Sequence, residues 1–453
     1  MTSGKETRRC SVLMMLGAFA FVFVTVLTAA NNNPTDPGPR VGNAGAGGAM
    51  ANLTVKEAKF FDAGLDEFEE VQSVTGSVAD TEEGLGPRFN SNSCVSCHAH
   101  PAVGGTSPPN NPQMTVGPPN EVLTLTSLGI ISQNGPVREV RFASDGGVHD
   151  LFTITGLEGA GACQIAQPNF GAHLAELRFR IPTPLFGLGL IEAIEDATIL
   201  KNEGPKQFGI NGIANRNGND GTVTRYGWKA QNKSLVIFSG EAYNVEQGVT
   251  NELFPDERGE GGVQDPPECR KIRPAPQDTI NYEVTQPQAV VDNVNAFATF
   301  MRFLAPPVQV TSYAGVTQQQ IAAGETAFNK AGCNVCHVRA MTTGSHVTAA
   351  LANKTVNLFS DLLLHNVGTG DDISQGGAKG DQFRTAPLWG VGQRLFFLHD
   401  GRTSSLVEAI KAHGGEAARV INNFNGVSTG DDMTSNLKTD AERQNLIYFL
   451  RSL

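Results

Sequence analysis

Basic residues, cysteine and tryptophan are all in short supply in this chain. Its 453 residues carry 34 Lys and Arg against 45 Asp and Glu, a formal net charge of −11. That deficit argues against nucleic acid or an anionic lipid surface as partner, because both are gripped chiefly by cations. It fits a dissolved protein, and also a basic redox partner. Cysteine occurs seven times. Four of the seven fall in two pentapeptides, CVSCH at Cys94–His98 and CNVCH at Cys333–His337. Zinc would need a fourth ligand close by, usually from a second Cys pair, and here the second pair stands far along the chain. Cys-x-x-Cys-His is instead the attachment signature of a c-type haem. The two cysteines form thioethers to the porphyrin and the histidine becomes the fifth iron ligand. Two covalently attached haem c groups are therefore expected, one on Cys94, Cys97 and His98, the other on Cys333, Cys336 and His337.

The N-terminus agrees with that reading. Lys5, Arg8 and Arg9 precede an apolar run from Val12 to Leu27, and Thr28, Ala29 and Ala30 follow it. This is the layout of a signal peptide over residues 1–30. The alternative is an uncleaved anchor, because the run approaches spanning length; only then would the membrane be a partner. Haem attachment of this type takes place outside the cytoplasm, so a periplasmic or otherwise exported chain is expected. Removing residues 1–30, which hold Lys5, Arg8, Arg9 and Glu6, leaves 31 basic and 44 acidic residues, about −13. Residues 31–51, rich in Asn, Pro and Gly, read as a flexible tether. Cys163 and Cys269 lie outside both the signal and the haem motifs. In an oxidising compartment they are free to pair or to stay apart.

The remainder reads as a duplication. Before the second motif, Ile321, Gly324, Ala327 and Phe328 fall at helical spacing. The chain closes with a second apolar stripe, Leu446, Ile447, Phe449, Leu450 and Leu453. Phe60, Phe61, Gly64, Leu65 and Phe68 repeat the first pattern ahead of CVSCH, and Val290 to Leu304 repeats the closing stripe. A helix before CxxCH and another at the end is the frame of class I cytochrome c. The fold class expected is mainly α, with two such domains. The N-terminal domain, 52–304, is enlarged by loop insertions; 305–315 is a linker; the C-terminal domain is 316–453. FRIPTPLFGLG (Phe179–Gly189) and FRTAPLWGVG (Phe383–Gly392) align on Pro-Leu-aromatic-Gly-x-Gly and set an offset of 203 between Gly189 and Gly392. Arg180 and Arg384 in these loops are candidates to pair a haem propionate.

The halves differ above the iron. A helix through Leu406, Ala409 and Ile410 would carry His413 to the second haem, giving His–His ligation and no open position. His346 and His365 are the alternatives. Carried back by 203, His413 falls on Ile210 and His399 on Asp196, so no ligand stands there. Glu192 and Glu195 follow the loop instead and are the candidate catalytic carboxylates beside an open first haem. His149, His173 or Met114 would close that haem, whereas His100 is too near His98 in sequence to reach its other face.

These residues resemble the di-haem cytochrome c peroxidase superfamily, and most closely its di-haem oxidoreductase branch. The matching stretches include GLGPRFNSNSCVSCHAHPAVGG, RIPTPLFGLGLIEAIEDATIL, YGWKAQ, GCNVCH, SDLLLHNVG and FRTAPLWGVGQRLFFLHDGRTSSLVEAIKAHGGEA. The resemblance implies a Met ligand fourteen residues past the His of HDG; His413 stands there and should lower the potential. It also implies a Gln and a Glu beside the N-terminal iron. The Gln is not recognisable, and the Glu is loosely matched by Glu192, Glu195 or Glu203. A calcium ion between the halves is implied as well, with ligands that cannot be carried over.

The function expected is a peroxidase-like oxidoreductase. Hydrogen peroxide or another small substrate meets the first haem, and Glu192 moves a proton. Electrons come through the second haem from a small redox protein or a quinol-linked donor, with Trp228 or Trp389 as a relay or as core packing. Two alternatives stand beside it. One is an electron carrier with both haems six-coordinate; the other is a haem oxidase or oxygenase acting on an organic or protein substrate.

Overall fold

The computed structural model describes Met1 and residues 34–259, 262–272, 274–280, 292–427 and 434–453. The signal-peptide reading of residues 1–30 lies outside the described residues apart from Met1. No helix among the described residues is long and apolar enough to cross a membrane.

Six helices frame the molecule: α1 (Val55–Glu69), α2 (Leu235–Gln247), α3 (Asn293–Phe303), α4 (Gln318–Ala331), α5 (Leu406–Lys411) and α6 (Asp440–Ser452). Three of them start on the same device. Thr54 with Glu57, Thr317 with Gln320 and Thr439 with Glu442 each form a capping box, satisfying two of the backbone N–H groups that a helix start leaves over. The glycines expected at the crossings are required there. A β-carbon on Gly64 would run into the carbonyl of Ala296 on α3, and one on Gly324 into the carbonyl of Asn445 on α6. Each crossing is then filled by phenylalanine. Phe300 stacks on Phe68 at 4.5 Å and lies 5.5 Å from Phe61, while Phe449 meets Phe328 at 5.4 Å.

The strands are short, and among the described residues no sheet exceeds three strands. In the three-stranded sheet, Glu139–Phe142 pairs antiparallel with both Val148–His149 and Leu177–Arg180. It belongs to the enlargement of the first half. That part has its own core around Phe89, Leu125, Ile130, Phe142, Phe152 and Phe170. A disulfide between Cys163 and Cys269 closes it across 106 residues.

The two halves were expected as separate domains. Residues 34–453 instead form one compact unit, because one core runs through both. Trp389, Met341 and Leu358 of the second half pack with Phe186, Ile191 and Phe303 of the first. Residues 34–51 correct the expectation of a flexible tether. They form a strap with a fixed path: Asp36 pairs with the buried Arg451 at 2.7 Å, Arg40 N–H donates to Gly392 O at 2.8 Å, and Met50 N–H to Phe303 O at 2.8 Å. Proline and glycine here remove regular structure without removing partners.

Candidate haem centres

Each pentapeptide opens into a cleft. The first holds about 1110 Å³ of empty space and is lined by Cys94, Cys97, His98, Phe68, Tyr243 and Met301 among others. The His98 ring is oriented by a hydrogen bond of 3.1 Å between Nδ1 and Gly105 O. This puts the ring proton on Nδ1 and leaves Nε2 as the lone-pair nitrogen, the arrangement typical of a metal-binding histidine. The second cleft holds about 1310 Å³ and is lined by Cys333, Cys336, His337, His365, His413 and Phe383 among others. His337 and His413 repeat the orientation of His98. Nδ1 of His337 bonds Phe359 O at 3.0 Å, and Nδ1 of His413 bonds Ala409 O at 2.7 Å. Burial lowers the pKa of both, that of His337 to about 4, so both are neutral imidazoles suited to iron.

The polar atoms left over in the clefts test the fit to haem. Arg384 Nη1, Arg394 Nε and Arg394 Nη2 are buried without a protein partner, and both side chains line the second cleft. Burial lowers both guanidinium pKa values to about 10, the mark of a cation with no counter-charge from the chain. Arg138 Nε is in the same position at the first cleft. A buried guanidinium needs an anion, and a haem propionate supplies one. The thiols fit as well. Burial raises the Cys94 pKa well above its usual value and that of Cys97 to about 11. Without a bound group they are therefore neutral thiols.

Several expected site residues stand elsewhere. Glu192 does not line the first cleft. Its carboxylate accepts from Arg302 Nε at 2.7 Å and from the backbone of Leu235 at 3.1 Å, which ties α3 to the start of α2. Glu195 starts a short helix and packs against Gly344, and Glu203 accepts from Ala214 N–H at 3.0 Å and pairs with Arg216. Arg180 is not free for a propionate, because Nε and Nη2 both bond Asp371 and Nη1 bonds Gln375. Arg384 keeps Nη1 unpartnered at the second cleft. His149 bonds Asp145 and stacks on Phe142 at 3.6 Å, His173 stacks on the same ring at 4.6 Å, and Met114 packs in the disulfide-closed core. None of the three lines the first cleft. Nδ1 of His346 accepts from Thr348 N–H, and the ring lies outside the second cleft. His365 does line it. Burial opposes a charge on His365, but the hydrogen bond to Asp361 outweighs it and raises the pKa to about 11. Both of its nitrogens are thus protonated and engaged, Nε2 by Asp361 at 2.9 Å and Nδ1 by Glu416 at 3.2 Å. Among the described residues, Cys336, Asp361 and His365 are the only three potential metal ligands drawn together. That set is already paired internally, so no residues are assigned to calcium.

The offset of 203 fails beyond Gly189. Thirty-seven residues separate Gly189 from Tyr226, against five from Gly392 to Phe397. Tyr226 bridges Asn232 as Phe397 bridges Thr403. Ser234 caps α2 as Ser405 caps α5. Ala230 and Gly401 both take left-handed backbone, at φ 51° and 67°. The halves therefore align here with an offset of 171 between Tyr226 and Phe397. His399 corresponds to Trp228, and His413 to Ala242 rather than Ile210. The first half still has no ligand at the equivalent site, though at a different residue. The carboxylates that do line the first cleft are Glu139, Glu241 and Glu246. Glu139 is tied to Arg141, and Glu241 to Asn232 and Gln231. Glu246, one turn beyond Ala242, brings Oε1 to 3.9 Å from His98 Nε2. The repeated Ser-Leu at 234–235 and 405–406 was the sequence signal for this register. Trp228 lines both clefts. Its Nε1 donates to Ile181 O at 2.8 Å, and Arg394 lies 5.7 Å over its ring. Trp389 packs between the halves against Gly187.

Residues 172–453 match the family model described as "Di-haem oxidoreductase, putative peroxidase". No curated protein matches the chain. Among solved structures, it is similar to hydrazine synthase of Kuenenia stuttgartiensis (16% identity over 60% of this chain and 88% of that one, TM-score 0.23). A MauG-like protein associated with microbial copper homeostasis matches at 15% identity over 60% and 90%, with a TM-score of 0.26. The diheme peroxidase BthA from Burkholderia thailandensis matches at 13% over 60% and 86%, with a TM-score of 0.27.

Proposed function

The chain belongs to the di-haem oxidoreductase family, and from that premise we propose that it is an exported peroxidase-type enzyme with one open and one closed haem c. The observation that carries this reading is the contrast at matched positions: His413 over the second cleft, Ala242 over the first. Cys94, Cys97 and His98 hold the first haem, with Arg138 toward a propionate. Cys333, Cys336, His337 and His413 hold the second, with Arg384 and Arg394 toward its propionates. Bound there, haem supplies an iron at which a small oxidant such as hydrogen peroxide can be reduced.

The chain's own part is acid–base and positional. Glu246 replaces Glu192 and Glu195 as the group that moves a proton between the oxygens of the oxidant, a contribution of about 10²–10⁴ in rate. The buried walls of Tyr243, Met301 and Phe297 keep the remaining water out. Trp228 is the side chain shared by the two clefts and is the proposed path for electrons between them. An acidic chain suits a small basic redox protein as donor. Export is supported by the disulfide and the haem motifs.

Optical and EPR spectra of the resting protein, followed by peroxide titration of Glu246→Gln, test this. A high-spin ferric signal and a loss of about 10²–10⁴ in turnover are expected. Two low-spin haems that ignore peroxide would instead identify an electron carrier.

A further inference from the structure

The excess chain between Gly189 and Tyr226 does not stay with the half that contributes it. Its middle part, residues 201–215, crosses onto the second haem centre. Lys206 Nζ donates to Val335 O, inside CNVCH, at 3.2 Å and lies 3.3 Å from Asp361. Phe208 covers Gly332, and Arg419 lies 5.5 Å over its ring. Phe208 holds φ at 62°, a conformation that costs a bulky residue energy and persists only where the surroundings fix it. Ile210 lines the second cleft. Ile213 pairs with Leu364 in both directions, N–H to O at 3.1 and 2.8 Å.

Between these contacts lies the turn that follows His413. Gly414 N–H donates to Val367 O at 2.6 Å, and Glu416 N–H donates to Asn366 O at 2.9 Å. A side chain at Gly415 would run into Asn366 O. The Glu416 carboxylate then gathers three donors: Asn211 N–H from the crossing arm at 2.7 Å, Asn366 N–H at 3.0 Å and His365 Nδ1 at 3.2 Å. Only the first of these comes from the other half.

We propose that the arm 201–215 is a brace for the distal ligand of the second haem, acting through Glu416. The carboxylate three residues past His413 is the clasp, and the Asn211 N–H is the hand the first half lays on it. Glu416 is a positioning residue, since it acts through His413 and does not itself line the second cleft. The proposal rests on His413 being that ligand. It adds that the first half decides whether the ligand stays on, so the closed haem is kept closed by the half that carries the open one.

Carbon monoxide binding to the reduced holoprotein tests this, because carbon monoxide binds only an iron with a free position. Wild type is expected to take one equivalent. His413→Ala is the reference and should take two. Glu416→Ala and Asn211→Pro, the second removing one backbone N–H and leaving the carboxylate, should each shift the ligand's on/off ratio about tenfold toward off, read as a second equivalent taken up at about one-tenth of the carbon monoxide concentration that wild type needs. Glu416→Gln, which keeps an acceptor, should fall between them and wild type. Circular dichroism with an unchanged unfolding temperature identifies variants that are folded. A second equivalent that needs as much carbon monoxide in both Glu416→Ala and Asn211→Pro as in wild type, against ready uptake of two by His413→Ala, overturns the brace. One equivalent in His413→Ala overturns the ligand assignment instead.

Discussion

The same helix is built twice in this molecule and finished differently. In the first half it starts on Ser234 and runs unbroken from Leu235 to Gln247. In the second it starts on Ser405 and stops at Lys411. The continuous helix lines its cleft with Ala242 and brings Glu246 to it one turn later. The broken helix releases His413, because Gly414 and Gly415 permit a turn packed against residues 366–368. Under the proposed function, one frame yields an acid–base group beside an open iron in one half and a ligand that closes the iron in the other, with Gly414 and Gly415 at the turn where the two part.

The comparison is broken most directly by Ala242→His. A ligand at the matched position should remove the high-spin signal and abolish most peroxide turnover by filling the open position, measured by EPR and steady-state assay. An unchanged spectrum would mean that a continuous helix cannot deliver its residue to the iron. The helix crossings come next. Phe300→Ala and Phe449→Ala should each cost about 3–5 kcal/mol, compared by denaturant unfolding. Equal losses fit one shared core, and a large imbalance would mean the halves unfold separately. Cys163→Ala with Cys269→Ala should cost about 2–5 kcal/mol and leave the second haem's spectrum untouched, since the bridge closes only the enlargement of the first half. The smallest effect expected is that of the matched caps. Thr54→Ala and Thr317→Ala should cost about 1 kcal/mol each, seen as similar small falls in unfolding midpoint.

A pH dependence follows from the strap. Burial raises the Asp36 pKa, but hydrogen bonds from Arg451 and Leu406 outweigh it, so the net shift is downward. A carboxyl lowered on folding stabilises above its ordinary pKa and loses that contribution as pH falls through the folded value. Acid should therefore loosen the strap, and Asp36→Asn should flatten stability against pH below about 5.

Much of this was legible in residue order. Gly64 and Gly324, with phenylalanines at helical spacing, are readable because a close helix crossing admits little else. The motifs and the Pro-Leu-aromatic-Gly loops are equally local. The register beyond Gly189 was not legible by extending one offset, since insertions leave no mark in periodicity. Glu192 was misjudged for a related reason: its neighbour in space, Arg302, stands 110 residues away. That Arg180 is not a spare cation likewise depends on Asp371, which only the folded chain brings to it.

The strap has a last consequence, for the order in which the molecule is made. Asp36 and Arg451 are 415 residues apart, so this pair forms only after Arg451 has been made, whereas Phe303 and Leu406 can take hold of the strap earlier. A chain cut after Phe449 would lose Arg451 and leave Asp36 with the Leu406 N–H alone of these two anchors. The strap would then be held along its length but loosened at Asp36.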